Sequence, residues 1–168
     1  MTEFYVSPGY PIPIKQLKKG CRSIDLDRIK DFWNDVAERD KRGCYIFALK
    51  VGRGFTPYYV GQAAKQPFQA ECLTAHKLAF HYCEVLNEKK GLPYLFFVVQ
   101  KKHKGKWSRS AIGDVEEHLI AFAAARNPGI TNKRRLPNQT WSIRGVIASE
   151  PGAPTEEAKV FKRLMAIT

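Results

Sequence analysis

Residues 44–51 read Cys-Tyr-Ile-Phe-Ala-Leu-Lys-Val, a nearly unbroken apolar run that opens after Gly43. Such a run suits a strand covered on both faces, so it belongs in the middle of a sheet. A turn over 52–57 leads into a short strand, 58–60, that ends at Gly61, and the two strands read as a hairpin. A helix is expected over about 68–87, broken by Gly91 and Pro93, and a third strand over 94–100. Ser110 is placed to cap a helix over 111–126, which Asn127, Pro128 and Gly129 stop. Ahead of the hairpin, a helix starting near Ser23 or Asp25 runs to about Asp40, with Leu26, Ile29, Phe32, Trp33 and Val36 on one face. Residues 1–22, cut by Pro and Gly, read as an arm lying on the domain. A last strand is expected at 141–147, a linker at 151–154 and a terminal helix over 155–165.

The expected fold is α+β: a three-stranded, mainly antiparallel sheet flanked by helices, with extra helices at both ends. The segments are an arm and helix (1–42), a central domain (43–147) and a helical extension (148–168). A chain of 168 residues has the length of one such domain with an extension.

Charge narrows the partners. Lys plus Arg number 28 against 16 Asp plus Glu, a net charge of +12. So small a domain with that charge attracts polyanions, nucleic acid foremost. No basic amphipathic helix with a clean apolar face favours a membrane surface. The opening Met-Thr-Glu-Phe-Tyr lacks a basic-then-apolar leader pattern, so a cytoplasmic location is expected. Cys72, Ala75, Ala79, Cys83 and Leu86 share one face of the helix expected over 68–87. Cysteines there pack as small hydrophobes, a reading that outweighs a zinc site with His76.

Glu116 carries the most information. On a helical wheel it falls inside the apolar arc of Ile112, Val115, Leu119, Ile120 and Ala123, whereas Glu117 and His118 fall outside. A carboxylate on a buried face must be paired, hold a metal or take up a proton. Tyr45 and Tyr59 lie in strands that pair, which can bring two phenols together. Lys101, Lys102, Lys104 and Lys106 on one side of the Glu116 helix, and Lys133, Arg134 and Arg135 on the other, form basic loops suited to phosphates.

Together these residues resemble the GIY-YIG nuclease family. Gly43-Cys44-Tyr45 is similar to its first tripeptide, with Cys for Ile, and Tyr59-Val60-Gly61 to its second, with Val for Ile. A helix, a strand and a second helix bearing Glu-x-x-Leu-Ile (Glu116 to Ile120) follow, then Pro128 and Asn132. The resemblance spans about residues 43–135. It implies hydrolysis of nucleic-acid phosphodiesters with one divalent ion, Mg²⁺ or Mn²⁺, on Glu116. By the same resemblance Tyr45 is the general base or the positioner of the attacking water. Tyr59 bonds a phosphate oxygen or the water, and Asn132 orders the site. Where the family carries an Arg this chain has Glu71. Lys65, His76 and Lys77 are the candidate replacements, of which Lys77 falls opposite the apolar face of the expected helix. The expectation is a metal-dependent endonuclease acting on DNA rather than RNA. The alternative is a nucleic-acid-binding module that kept the fold without the catalysis.

Overall fold

Proline and glycine divide the first 24 residues into strands too short for periodicity to reveal: β1 (Phe4–Val6), β2 (Tyr10–Pro11), β3 (Ile14–Gln16) and β4 (Arg22–Ile24). A 3-10 turn, Leu26–Arg28, leads into α1 (Ile29–Asp35), and then come β5 (Gly43–Val51) and β6 (Gly54–Ala63). Next are α2 (Phe68–Glu71), α3 (Ala75–Lys77), a π-helical turn (Leu78–Tyr82) and α4 (Cys83–Glu88). β7 (Leu92–Gln100) and α5 (Arg109–Arg126) follow, and Glu156 and Val160 are helical. The computed structural model describes residues 2–102, 105–132, 155, 156 and 160. The chain divides into two compact units, Met1–Arg135 and Leu136–Thr168. The strand expected at 141–147 and most of the helix expected over 155–165 lie outside the described residues. No helix among the described residues is long and apolar enough to cross a membrane.

The fold is α+β, and its sheet is antiparallel throughout. The strand order is β1-β7-β5-β6, and β2 also pairs with β7. β5 is central, as its apolar run requires. The sheet has five strands rather than three, because the arm pairs with β7 instead of lying on the domain. Between β1 and β2 the ladder is carried by Ser7, whose N–H donates to the Phe97 carbonyl (2.9 Å) and whose Oγ accepts the Phe97 N–H (3.0 Å). This supplies partners to an edge of β7 that would otherwise stand open. β3 and β4 form a separate two-stranded ribbon.

The two sheet faces bury different layers. Tyr45, Phe47 and Leu49 of β5 share a core with Leu95, Phe97 and Val99 of β7, Tyr59 of β6, and Phe32, Trp33, Phe68, Tyr82 and Leu86 from the helical side. On the other face α5 buries Ile112, Glu116, Ile120 and Ala123 over β6. The Cys44 thiol contacts the Ile112 carbonyl at 3.3 Å. Burial pushes that thiol up to about 12, so it stays protonated and packs as a small apolar group.

Several boundaries differ from expectation for local reasons. β4 takes Arg22–Ile24, so the first helix is short, and Asp25 caps the 3-10 turn by accepting the Asp27 N–H (3.2 Å). β6 begins at Gly54, which puts Gly61 inside the strand. Ser108, not Ser110, caps α5 by accepting the Ala111 N–H (3.3 Å), because buried Gln100 clamps Ser108 through both its N–H (2.9 Å) and its carbonyl (3.1 Å). The helix expected over 68–87 is broken. Its turn at Cys72 and the π-helical turn change the phase, so Cys72 is buried while Cys83 is exposed. Arg22 closes the far end of α4, donating to the carbonyls of Leu86, Lys89 (2.5 Å) and Gly91 (2.7 Å). A cation there satisfies carbonyls that the helix leaves free.

Both glycines of the tripeptides are forced by close approach. Gly43 has φ of +154°, and a Cβ there would collide with the Val98 carbonyl oxygen of β7. Gly61 pairs with Tyr45 across the strands, and a Cβ there would lie 2.5 Å from Tyr45 Cζ and Oη. Gly61→Ala should therefore lower unfolding stability by about 1–3 kcal/mol through overpacking. Urea titration of Gly61→Ala, Tyr45→Phe and the double variant should show non-additivity, the double variant recovering part of the loss.

Candidate functional site

The β5–β6 hairpin sets the site. Tyr45 and Tyr59 are two strand positions apart in register and share a face, and their ring centroids lie 6.1 Å apart. Tyr45 is fully buried and Tyr59 almost so, at 9% exposed. The Tyr45 hydroxyl has no hydrogen-bond partner among the described residues. The Tyr82 phenol, which donates to the Cys72 carbonyl (2.9 Å), lies close enough for the two phenols to affect each other's ionisation. Desolvation, then the neighbouring Tyr82, Cys72, Tyr59 and Glu71, pushes the Tyr45 phenol far above its usual range.

The cation beside these phenols is Lys77. Its ammonium lies 5.5 Å from the Tyr45 ring centroid, and the residue is 8% exposed. It donates to the Glu71 carbonyl oxygen (2.5 Å) and to the Glu71 carboxylate. Lys77 thus points inward, against the expectation from a continuous helix, because the break at Cys72 and the π-helical turn change the phase. Lys65 is exposed in the link between β6 and α2. His76 is exposed and packs on Phe80, ring centroids 4.9 Å apart.

His81, one turn after Lys77, was not singled out by the sequence reading. Its ring lies 4.4 Å from that of Tyr59 and 5.7 Å from that of His76. Its Nδ1 is 3.1 Å from Thr131 Oγ1, and the Thr131 hydroxyl is 3.3 Å from the Tyr58 carbonyl. A carbonyl only accepts, so this chain assigns the hydroxyl proton to Tyr58 and the Nδ1 proton to Thr131. His81 Nε2 then carries a lone pair.

Asn132 holds the edge of β6 beside Tyr59. Its amide accepts the Val60 N–H (3.3 Å) and donates to the Val60 carbonyl. Asn127 donates to the Pro57 carbonyl (2.7 Å), and the Thr131 N–H to the Tyr58 carbonyl (2.8 Å). Among the described residues no further strand pairs with this edge of β6, and these groups satisfy part of it.

Glu116 is 5% exposed on the inward face of α5, against the sheet face opposite Tyr45 and Tyr59. The structure therefore does not bring this carboxylate together with the tyrosines and Lys77. Glu117 and His118 are exposed, as the wheel places them. Among the described residues no group of three or more His, Cys, Asp or Glu converges as a metal site. Of the basic loops, Lys101 pairs with Glu3 (2.5 Å) and Lys102 lies 5.1 Å over the Trp107 ring. Lys106 is exposed. Lys104, Lys133, Arg134 and Arg135 lie outside the described residues.

His81 gives this site a pH signature. Desolvation, then His76 and Lys77, lowers its pKa below the usual histidine value. Between that lowered value and about 6.5 the unfolded chain binds more protons, so the His81 contribution to stability falls as pH drops through this window. Urea midpoints measured on both sides of the window should show a smaller acid loss in His81→Gln than in the parent chain.

No family model matches the chain, and no curated protein and no solved structure matches it either.

Proposed function

We propose that the chain is a divalent-metal-dependent endonuclease that hydrolyses phosphodiester bonds, of DNA rather than RNA, in the cytoplasm. We infer with it that β6-β5-β7 is the GIY-YIG three-strand layout, widened by β1 and β2. One observation carries the reading: the buried Tyr45 hydroxyl has no hydrogen-bond partner among the described residues, and its ring lies beside Tyr59 of the paired strand and the Lys77 ammonium of α3. An unpartnered buried hydroxyl costs about 1–3 kcal/mol, a cost that calls for an explanation at a working site.

The donor chemistry fits a hard cation. Glu116 is a buried carboxylate on the α5 side of the sheet, the face opposite the tyrosines, and it would hold Mg²⁺ or Mn²⁺ together with substrate phosphate and water. When bound, such an ion polarises a phosphoryl oxygen and stabilises the leaving oxygen.

The remaining roles belong to side chains. Tyr45 stays protonated at neutral pH, so it serves as donor and positioner rather than as base. Proton acceptance falls to His81 Nε2, whose tautomer Thr131 fixes. Lys77 supplies positive charge to the phosphate, as a point charge without the paired donors of an Arg. Tyr59 offers a hydroxyl to a phosphate oxygen or the water, and Asn132 keeps the Tyr59 backbone in place through Val60.

A second reading, nucleic-acid binding without cleavage, is favoured by the Glu71 carboxylate, which occupies Lys77. Nicking of supercoiled plasmid with Mg²⁺, Mn²⁺ or EDTA separates the two. Metal-dependent nicking is expected, with a loss of about 100-fold or more in Glu116→Gln while duplex binding is retained. Lys77→Met should lose nicking by a similar order. Full nicking by Glu116→Gln overturns the site. Salt-sensitive binding with no nicking under any metal selects the binding module.

A further inference from the structure

α5 packs over β6 and the Cys44 end of β5, and towards the other end of that sheet face Gly9 of the arm lies against the Phe96 ring. There Phe55 meets Tyr94 and Phe96 edge to face, with ring centroids 5.2 and 5.0 Å apart and interplanar angles of 77° and 90°. The Lys50 ammonium lies 5.6 Å from the Phe55 ring and 5.7 Å from the Tyr94 ring. Phe55 is 37% exposed, and its neighbours Val51 and Leu92 are 59% and 54% exposed.

The register surrounds these rings with positive charge. Lys50 stands opposite both Phe55 and Leu92. The tight turn holding Arg53 is therefore at this end of the sheet. Gly91 packs against the Lys50 carbonyl and Val51, which brings Lys89 and Lys90 to the same end. Arg53, Lys89 and Lys90 are exposed, and Glu88 is the exposed acidic residue next to them.

We propose that this end of the sheet binds single-stranded nucleic acid, with bases stacking on Phe55 and Tyr94 and phosphates meeting Lys50, Arg53, Lys89 and Lys90. Aromatic faces interleaved with Lys and Arg, here the exposed Phe55 and the half-buried Tyr94, are the means by which proteins hold single strands without sequence preference. A duplex has its base faces already stacked, so it can use the cations but not the rings. Lys50 already shows the cation–π geometry that a stacked base would complete. The surface is separate from Tyr45 and Tyr59, which face the opposite side of the sheet. It shares only the class of partner with the proposed hydrolysis.

The test is fluorescence anisotropy of the full chain with a labelled oligo-dT of about 20 nucleotides, beside a duplex of equal length. Phe55→Ala should weaken oligo-dT binding about tenfold and duplex binding far less, and Phe55→Trp should retain it. Arg53→Glu, in an exposed turn, should weaken both and carries the test if Phe55→Ala does not fold. The proposal is overturned by undiminished oligo-dT binding in a folded Phe55→Ala, by equal losses on single strand and duplex, by undiminished binding in Arg53→Glu, or by no salt-dependent oligo-dT binding in the parent chain. Plasmid nicking by Phe55→Ala should match the parent. An absence of nicking beside Phe55-dependent oligo-dT binding would sink the hydrolytic reading and leave this one standing.

Discussion

The tip of the Tyr45 ring rests on the bare Cα of Gly61, and much of the hairpin side of the molecule follows from that contact. It requires β5 and β6 to pair with Tyr45 opposite Gly61, which puts Tyr59 on the same face two positions away. It directs a large polar side chain into the layer between sheet and helices, where Phe47, Phe97 and Tyr82 must then be placed around it. A one-residue slip would turn Tyr45 and Phe47 toward α5 and bring Cys44 and Ile46 inward. Gly43 fixes the other side of the same strand, because only a residue without Cβ tolerates the Val98 carbonyl so near.

The broken helix between β6 and β7 does what a regular one could not. A continuous helix would keep Phe68, Cys72, Ala75 and Ala79 on one stripe and leave Lys77 in solvent. The turn after Glu71 and the π-helical turn let the chain bury Lys77 and Tyr82 as well as Phe68 and Cys72. π-helical turns are costly and concentrate where a side chain must be re-aimed. Here the re-aimed groups are Lys77 and His81, which flank the two tyrosines.

These two mechanisms explain what the sequence could reveal. The central strand, the hairpin, the inward Glu116 and the stop at Asn127 follow from periodicity and from single residues with strong local preferences. The arm strands β1 and β2 do not, because three- and two-residue strands gain stability from the β7 edge and not from their own pattern. Lys77 was read as solvent-facing because a wheel assumes 3.6 residues per turn across a segment that does not keep it. His81 escaped notice because its significance lies in Thr131, fifty positions away. The identity of the α5 cap was hidden in the same way, since Gln100 selects Ser108 over Ser110.

Burial sets the electrostatic terms of the site. Tyr45, Lys77 and Glu116 are all less than one-tenth exposed, so each interacts through a medium far less polarisable than water. Fixed orientation of such groups is what the proposed hydrolysis would need in order to stabilise developing charge. The same burial demands compensation, and Glu71 provides it by neutralising Lys77. On the proposed reading, a phosphate beside the tyrosines would compete with that carboxylate for the ammonium, which would couple substrate affinity to the release of Glu71. Glu71 at the position of the expected Arg is then the counter-ion that lets a buried lysine exist in the resting protein.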